Sequence, residues 1–112
     1  MFGRLTLFAL LLAGGCSSAK DEELAAAKGA RSVLAEWSTV ERLDRAGRLP
    51  RAYANEMREK AREAVLTDRK SIKDPDAGRT VDAVVSVAAP SARSLAAAGT
   101  HLQRAVDRLE AL

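Results

Sequence analysis

Residues 74–112 read DPDAGRTVDAVVSVAAPSARSLAAAGTHLQRAVDRLEAL, and this stretch decides the fold. Val81, Val85, Ala88, Ala92, Leu95, Gly99, Leu102, Val106 and Leu109 follow one another at alternating spacings of four and three. That period puts them on one face of an α-helix and is the pattern of a helix packed on other helices. Asp74-Pro75-Asp76 is a helix start, with a capping side chain, a proline at the first helical position and a further acid in the first turn. Pro90 lies inside the pattern. Its ring clashes with the preceding turn and it has no N–H to donate, yet the register does not slip across it. Uninterrupted from Pro75, the helix would be about 57 Å long at 1.5 Å per residue, against about 39 Å for the first helix of the chain. The expectation is therefore a marked kink or a break near Ala89-Pro90-Ser91.

Working back, a first helix is expected from Asp21 to Ala46. Asp21, Glu22 and Glu23 favour the positive end of its dipole, and Arg42, Arg45 and Arg48 the negative end. Ala26, Ala30, Val33, Trp37 and Val40 form its apolar stripe, widened by Leu34 and Leu43, while Leu24 falls on the other side. Gly47 suits the left-handed residue that stops a helix. A second helix starts at Pro50 and frays near Ser71 to Lys73, with Tyr53, Met57, Ala61 and Ala64 as its apolar face and Val65 beside them. Glu56 and Lys60 form an exposed i,i+4 pair, Glu59 and Glu63 share a solvated face, and Arg58, Arg62 and Arg93 are read as outward-pointing. The link Gly47–Leu49 is so short that the two helices must form an antiparallel hairpin. Folding about residue 48 sets Trp37 opposite Ala61 and Tyr53 opposite Leu43. The fold class is all-α, a small antiparallel bundle of three to four helices over residues 21–112. Trp37, Tyr53, Met57 and Leu102 are the side chains expected to pack the bundle or to face a ligand between its helices.

Composition narrows the function classes. Trp37 and Tyr53 are the only aromatic residues beyond the first eight positions, too few for a base-stacking surface, so no nucleic-acid partner is expected. His101 is the only histidine and Cys16 the only cysteine, so no metal and no cofactor are expected. His101 keeps company with Arg104, Asp107 and Arg108 and reads as a surface residue. No Gly-rich phosphate loop and no nucleophile elbow occur, no catalytic residue is assigned, and the chain is not expected to be an enzyme. The core, built largely from alanine, valine and leucine, looks lean and buries little area per contact.

The N-terminus carries the one recognisable signal. Met1-Phe2-Gly3-Arg4 is a short basic region, Leu5 to Ala13 (LTLFALLLA) is apolar, and Gly14-Gly15 are small residues ahead of Cys16. That order is a secretory signal, and the apolar run is far short of the ~20 residues a membrane-spanning helix needs. Leu12-Ala13-Gly14-Gly15-Cys16 resembles the lipobox of bacterial lipoproteins. It departs from the preferred pattern in having Ala13, rather than leucine, three residues before the cysteine. The resemblance implies cleavage between Gly15 and Cys16 by signal peptidase II and acylation of Cys16. A lone cysteine has no partner for an internal disulfide, which agrees with that fate. After cleavage, 17 Lys and Arg face 15 Asp and Glu, a nearly balanced chain. The expected organisation is a signal peptide over residues 1–15, a lipidated tether over 16–20 and the bundle beyond. Ser17, where an aspartate would mark inner-membrane retention in enteric-type bacteria, suggests by analogy the outer membrane, facing the periplasm. The expected role is a structural or protein-interaction module of the cell envelope, with an envelope protein or a second copy as partner. The alternative is a binder of a lipid or small apolar ligand between the helices.

Overall fold

A computed structural model describes residues 18–112. They form four helices and no strand: α1 Ala19–Arg45, α2 Arg51–Arg69, α3 Pro75–Val85 and α4 Ala92–Ala111. The last stripe of the sequence breaks rather than kinks, and α3 and α4 fold back on each other across Ser86–Ser91. Pro90 is buried in that turn. Each helix packs on two others in the ring α1–α2–α3–α4–α1, and α1 with α4 makes the broadest face. The chain runs up, down, up and down, the simplest four-helix topology.

Local chemistry sets the helix ends. Ser18 Oγ accepts from Asp21 N at 3.2 Å and caps α1. The helix therefore begins two residues earlier than expected, and Ala19 and Lys20 belong to it rather than to a tether. Gly15, Cys16 and the rest of the leader lie outside the described residues. At the other end of α1, Gly47 adopts φ +70°, the left-handed conformation that glycine takes without steric cost. Pro50 stands at the position just before α2, without a capping side chain, so the helix begins at Arg51 rather than at Pro50. Asp74 Oδ2 accepts from Ala77 N at 3.0 Å with Pro75 at the first position of α3, and Ser91 Oγ accepts from Ser94 N at 3.0 Å to start α4.

The core gathers one stripe from each helix. Leu34 and Trp37 of α1, Val65 of α2, Val81 of α3, and Leu95 and Leu102 of α4 are almost wholly removed from solvent. Ile72, in the turn between α2 and α3, joins them. Leu24 has its own role: with Ala27 it packs on Val106 and Leu109 of α4, closing one end of the bundle.

The stripe of α2 differs from its sequence reading. Tyr53 is 48% exposed and Met57 half-buried, whereas Ala54 and Val65 are buried. The inward row is Ala54, Arg58, Ala61, Val65, Asp68 and Ile72, which keeps the four-three period but includes an arginine and an aspartate. Reading only apolar residues selected the neighbouring row. Arg58 and Arg62 are correspondingly half-buried between helices rather than outward. Ala88 leaves the last stripe because it lies in the exposed turn. Glu59, Glu63, Arg93 and His101 are exposed as read.

Where α1 crosses α2, Gly29 faces Asp68. A Cβ at residue 29 would sit 2.7 Å from Asp68 Oδ2, so a larger residue there would have to displace the Asp68 carboxylate. Burial pushes the Asp68 carboxyl above its ordinary range. A carboxylate whose folded pKa is raised destabilises the fold above that pKa, and the penalty disappears as pH falls and the group is protonated. Asp68→Asn should thus raise the thermal midpoint at neutral pH, and the gain should vanish below the unfolded value of 3.8. Melting curves of both proteins across that range check the sign. A second test addresses the core. Leu34→Ala, at a side chain with no exposed surface, should cost about 2–5 kcal/mol in denaturant unfolding.

Candidate functional site

Two groups of polar side chains lie between helices, and they differ in kind. The first joins α1, α2 and the α3–α4 turn. Arg58 donates to Glu41 at 2.7 and 3.0 Å and also to Asp44, bridging α2 to α1. Those two carboxylates, Glu41 foremost, hold its guanidinium above the usual arginine range. Glu41 also accepts from Trp37 Nε1 at 3.0 Å, so the indole is oriented by the same carboxylate. Arg62 lies 5.0 Å from the centre of the Trp37 ring and donates to the carbonyl oxygens of Val85, Val87 and Ala88. These carbonyls belong to the end of α3 and the turn after it, where the helix has run out of N–H donors. A cavity of about 620 Å³ lies along this seam; Glu41, Asp44, Arg58 and Arg62 on its wall already have partners, while Arg51 and Glu59 make no side-chain hydrogen bond or ion pair among the described residues.

The second group is only partly paired. Antiparallel α3 and α4 leave a cleft of about 590 Å³ between them. Its floor is made of small residues, Ala83 and Val84 from α3 and Ala97 and Ala98 from α4. Its other end carries Arg79, His101, Arg104 and Arg108 around the single acid Asp76. Arg79 pairs with Asp76 within one turn of α3. Arg108 reaches Asp74 at 2.8 Å across the two helices. Among the described residues, Arg104 and His101 make no side-chain hydrogen bond or ion pair, so both remain available to an anion. The amide of Ala77, and then Arg108, hold the Asp74 carboxyl below its ordinary range. Its charge therefore stabilises α3 above the unfolded pKa, and that contribution is lost as pH falls through the lowered value.

No family model, curated protein or solved structure matches the chain. Among the described residues, no cluster of three His, Cys, Asp or Glu is placed to hold a metal, and no helix is long and apolar enough to cross a membrane.

The residues singled out from the sequence do not converge on one cavity. Trp37 and Leu102 are core, Tyr53 is on the surface, and Met57 shares only a shallow groove of about 220 Å³ with Trp37 and Ala61. The groups that do converge are His101, Arg104 and Arg108, whose spacing of three and four already placed them on one helical face. Arg79 joins them only because the chain reverses at Pro90, which the spacing alone did not specify.

The Arg62 contacts generate a test. Arg62→Ala should destabilise the fold by about 1–2 kcal/mol, the net worth of a few partly exposed hydrogen bonds from a charged donor. Arg62→Lys should recover little, since an ammonium lacks the fork that reaches three carbonyls. Denaturant unfolding of both variants, with Trp37 fluorescence as the local probe, checks this.

Proposed function

We propose that the protein is a lipid-anchored helical module of the bacterial cell envelope that works by binding rather than by catalysis. The observation that carries this reading is the lipobox-like Leu12–Cys16 placed almost directly against a folded helix. Ser18 caps α1, so an acylated Cys16 would stand two residues from a rigid bundle. At ~3.5 Å per extended residue, the domain would be held within about 7 Å of its lipid. Two or three acyl chains on one cysteine give firm anchoring, at about 0.8 kcal/mol per buried CH₂. Ser17 favours the outer membrane, with the bundle in the periplasm. The partner in this reading is an envelope protein or a second copy of the chain.

The α3–α4 cleft favours a second reading, in which the bundle holds a small amphipathic ligand. An open cleft with an apolar floor and a few unpaired polar groups is the usual form of a small-molecule site.

The anchor is tested by metabolic labelling with palmitate. The wild type should incorporate label and Cys16→Ala should not; labelling that survives the substitution would overturn the anchor. The protein-partner reading is tested by photo-crosslinking in cells from exposed Arg93 and Glu63. One discrete adduct shared by neighbouring positions supports it, and its absence favours the ligand.

A further inference from the structure

The cleft has a direction, from a charged end to an uncharged one. Glu23, barely more than one turn into α1, accepts from the backbone N–H of Lys73 at 2.7 Å and from that of Asp74. This fastens the start of α3 beside the start of α1. Arg108 reaching Asp74, and Lys28 reaching Glu110 at 3.2 Å, bring the C-terminal end of α4 to the same place. Arg79 and Arg108 therefore lie toward the Ser18 end of the bundle, while Arg104, next to the Gln103 that accepts from Arg31, lies closer to the middle of α1. The small-residue floor of Ala83, Val84, Ala97 and Ala98 runs away from that end. At the near end Arg79 is paired with Asp76 and Arg108 with Asp74, which leaves Arg104 as the unpaired cation, whereas the residues lining the far end carry no charge.

We infer that this cleft takes up one anionic, single-chain amphiphile, its acidic head on Arg104 and His101 and its acyl chain along the alanine floor. The inference deepens the ligand-binding reading and rests on it. Three features select this class. The unpaired guanidinium of Arg104 and the imidazole of His101 call for an anion. The uncharged floor calls for hydrocarbon beyond that anion. Beyond the charged end, α4 runs about 10 Å from His101 to Ser94 and α3 about 6 Å from Thr80 to Val84, room for a short length of hydrocarbon rather than for a polypeptide strand with its own unmet backbone groups. Anchoring at Cys16 would hold the bundle close to a membrane that can supply such an amphiphile. Phosphate and carboxylate heads share this chemistry.

The test uses the full chain in neutral phosphatidylcholine vesicles with three diazirine-bearing probes: a lysophosphatidic acid, a fatty acid and a lysophosphatidylcholine. Peptide mass spectrometry locates the adducts. The expected result is labelling confined to residues 80–84 and 94–98 by the two acidic probes, with the zwitterionic probe about ten-fold weaker. Whichever acidic probe labels more identifies a phosphate or a carboxylate head as the natural one. Arg104→Glu should lower acidic labelling about ten-fold, and Ala97→Trp should abolish it by filling the floor. Ala83→Trp repeats the filling from α3, and circular dichroism melting of each variant verifies that it is folded, as expected at exposed positions. Adducts spread over all four helices, equal labelling by the zwitterionic probe, or labelling indifferent to folded Ala97→Trp and Ala83→Trp would overturn the inference. The palmitate experiment is separate. Cleft labelling of a chain that takes up no palmitate would sustain the ligand site without the anchor, and palmitate uptake without cleft labelling would do the reverse.

Discussion

The structure depends on the way the chain survives its break at Pro90. A proline there denies a donor to the carbonyl one turn earlier, so the helix that begins at Asp74 has to end with exposed acceptors. Arg62 supplies donors from a different helix to neighbouring carbonyls of that end, reaching Val85, Val87 and Ala88 while its guanidinium lies over the Trp37 ring. One side chain thereby joins the centre of α1, the middle of α2 and the turn that sends α4 back down the bundle. Without that reversal, residues 92–111 would run on past their partners, and α1 would lose the helix with which it shares its broadest face.

A core of alanine and valine leaves much of the pairing to polar contacts, and each pair of adjacent helices has one. Arg58 holds α2 to Glu41 and Asp44 of α1. Arg69 makes a two-pronged contact with Asp82, at 2.8 and 3.1 Å, and holds α2 to α3. Arg108 and Asp74 close α4 on the segment leading into α3. Arg31 donating to Gln103, and Ser38 donating to Ala92 O at 2.9 Å, fix α1 against α4. Partly exposed ion pairs contribute little free energy each. Their value here is in register: small residues slide past one another at low cost, and a forked arginine fits a carboxylate in only one offset.

This explains how much of the molecule was legible in the sequence. The all-α class, the α1–α2 hairpin, the Asp74 start and the interruption at Pro90 follow from period, caps and turn length, which are local. The inward row of α2 was not legible, because hydrophobicity pointed to Tyr53 and Met57 while the true row carries Arg58 and Asp68. Arg58 is paired there with Glu41 and Asp44, and Asp68 lies against Gly29, and both juxtapositions depend on tertiary offset. Likewise, the charged face of His101, Arg104 and Arg108 was visible on its own helix. Its role as one wall of a cleft was not, since the other wall comes from a helix whose direction is set by the break.

The cleft itself is a consequence of unequal lengths. The 27 residues of α1 cover α4 along its whole run, but the 11 residues of α3 cover only part of the opposite side. With Thr80 and Ala83 facing Ser94, Ala97 and Ala98, the two backbones are lined by side chains too short to fill the space between them. Longer residues at these positions would have added burial to a lean core, and their absence leaves an uncharged trough that ends among cations. Glu23 then sets where the trough opens, because its carboxylate ties the start of α3 to the first turns of α1. Helix length, side-chain size and one buried acid together set where the trough lies and how it opens.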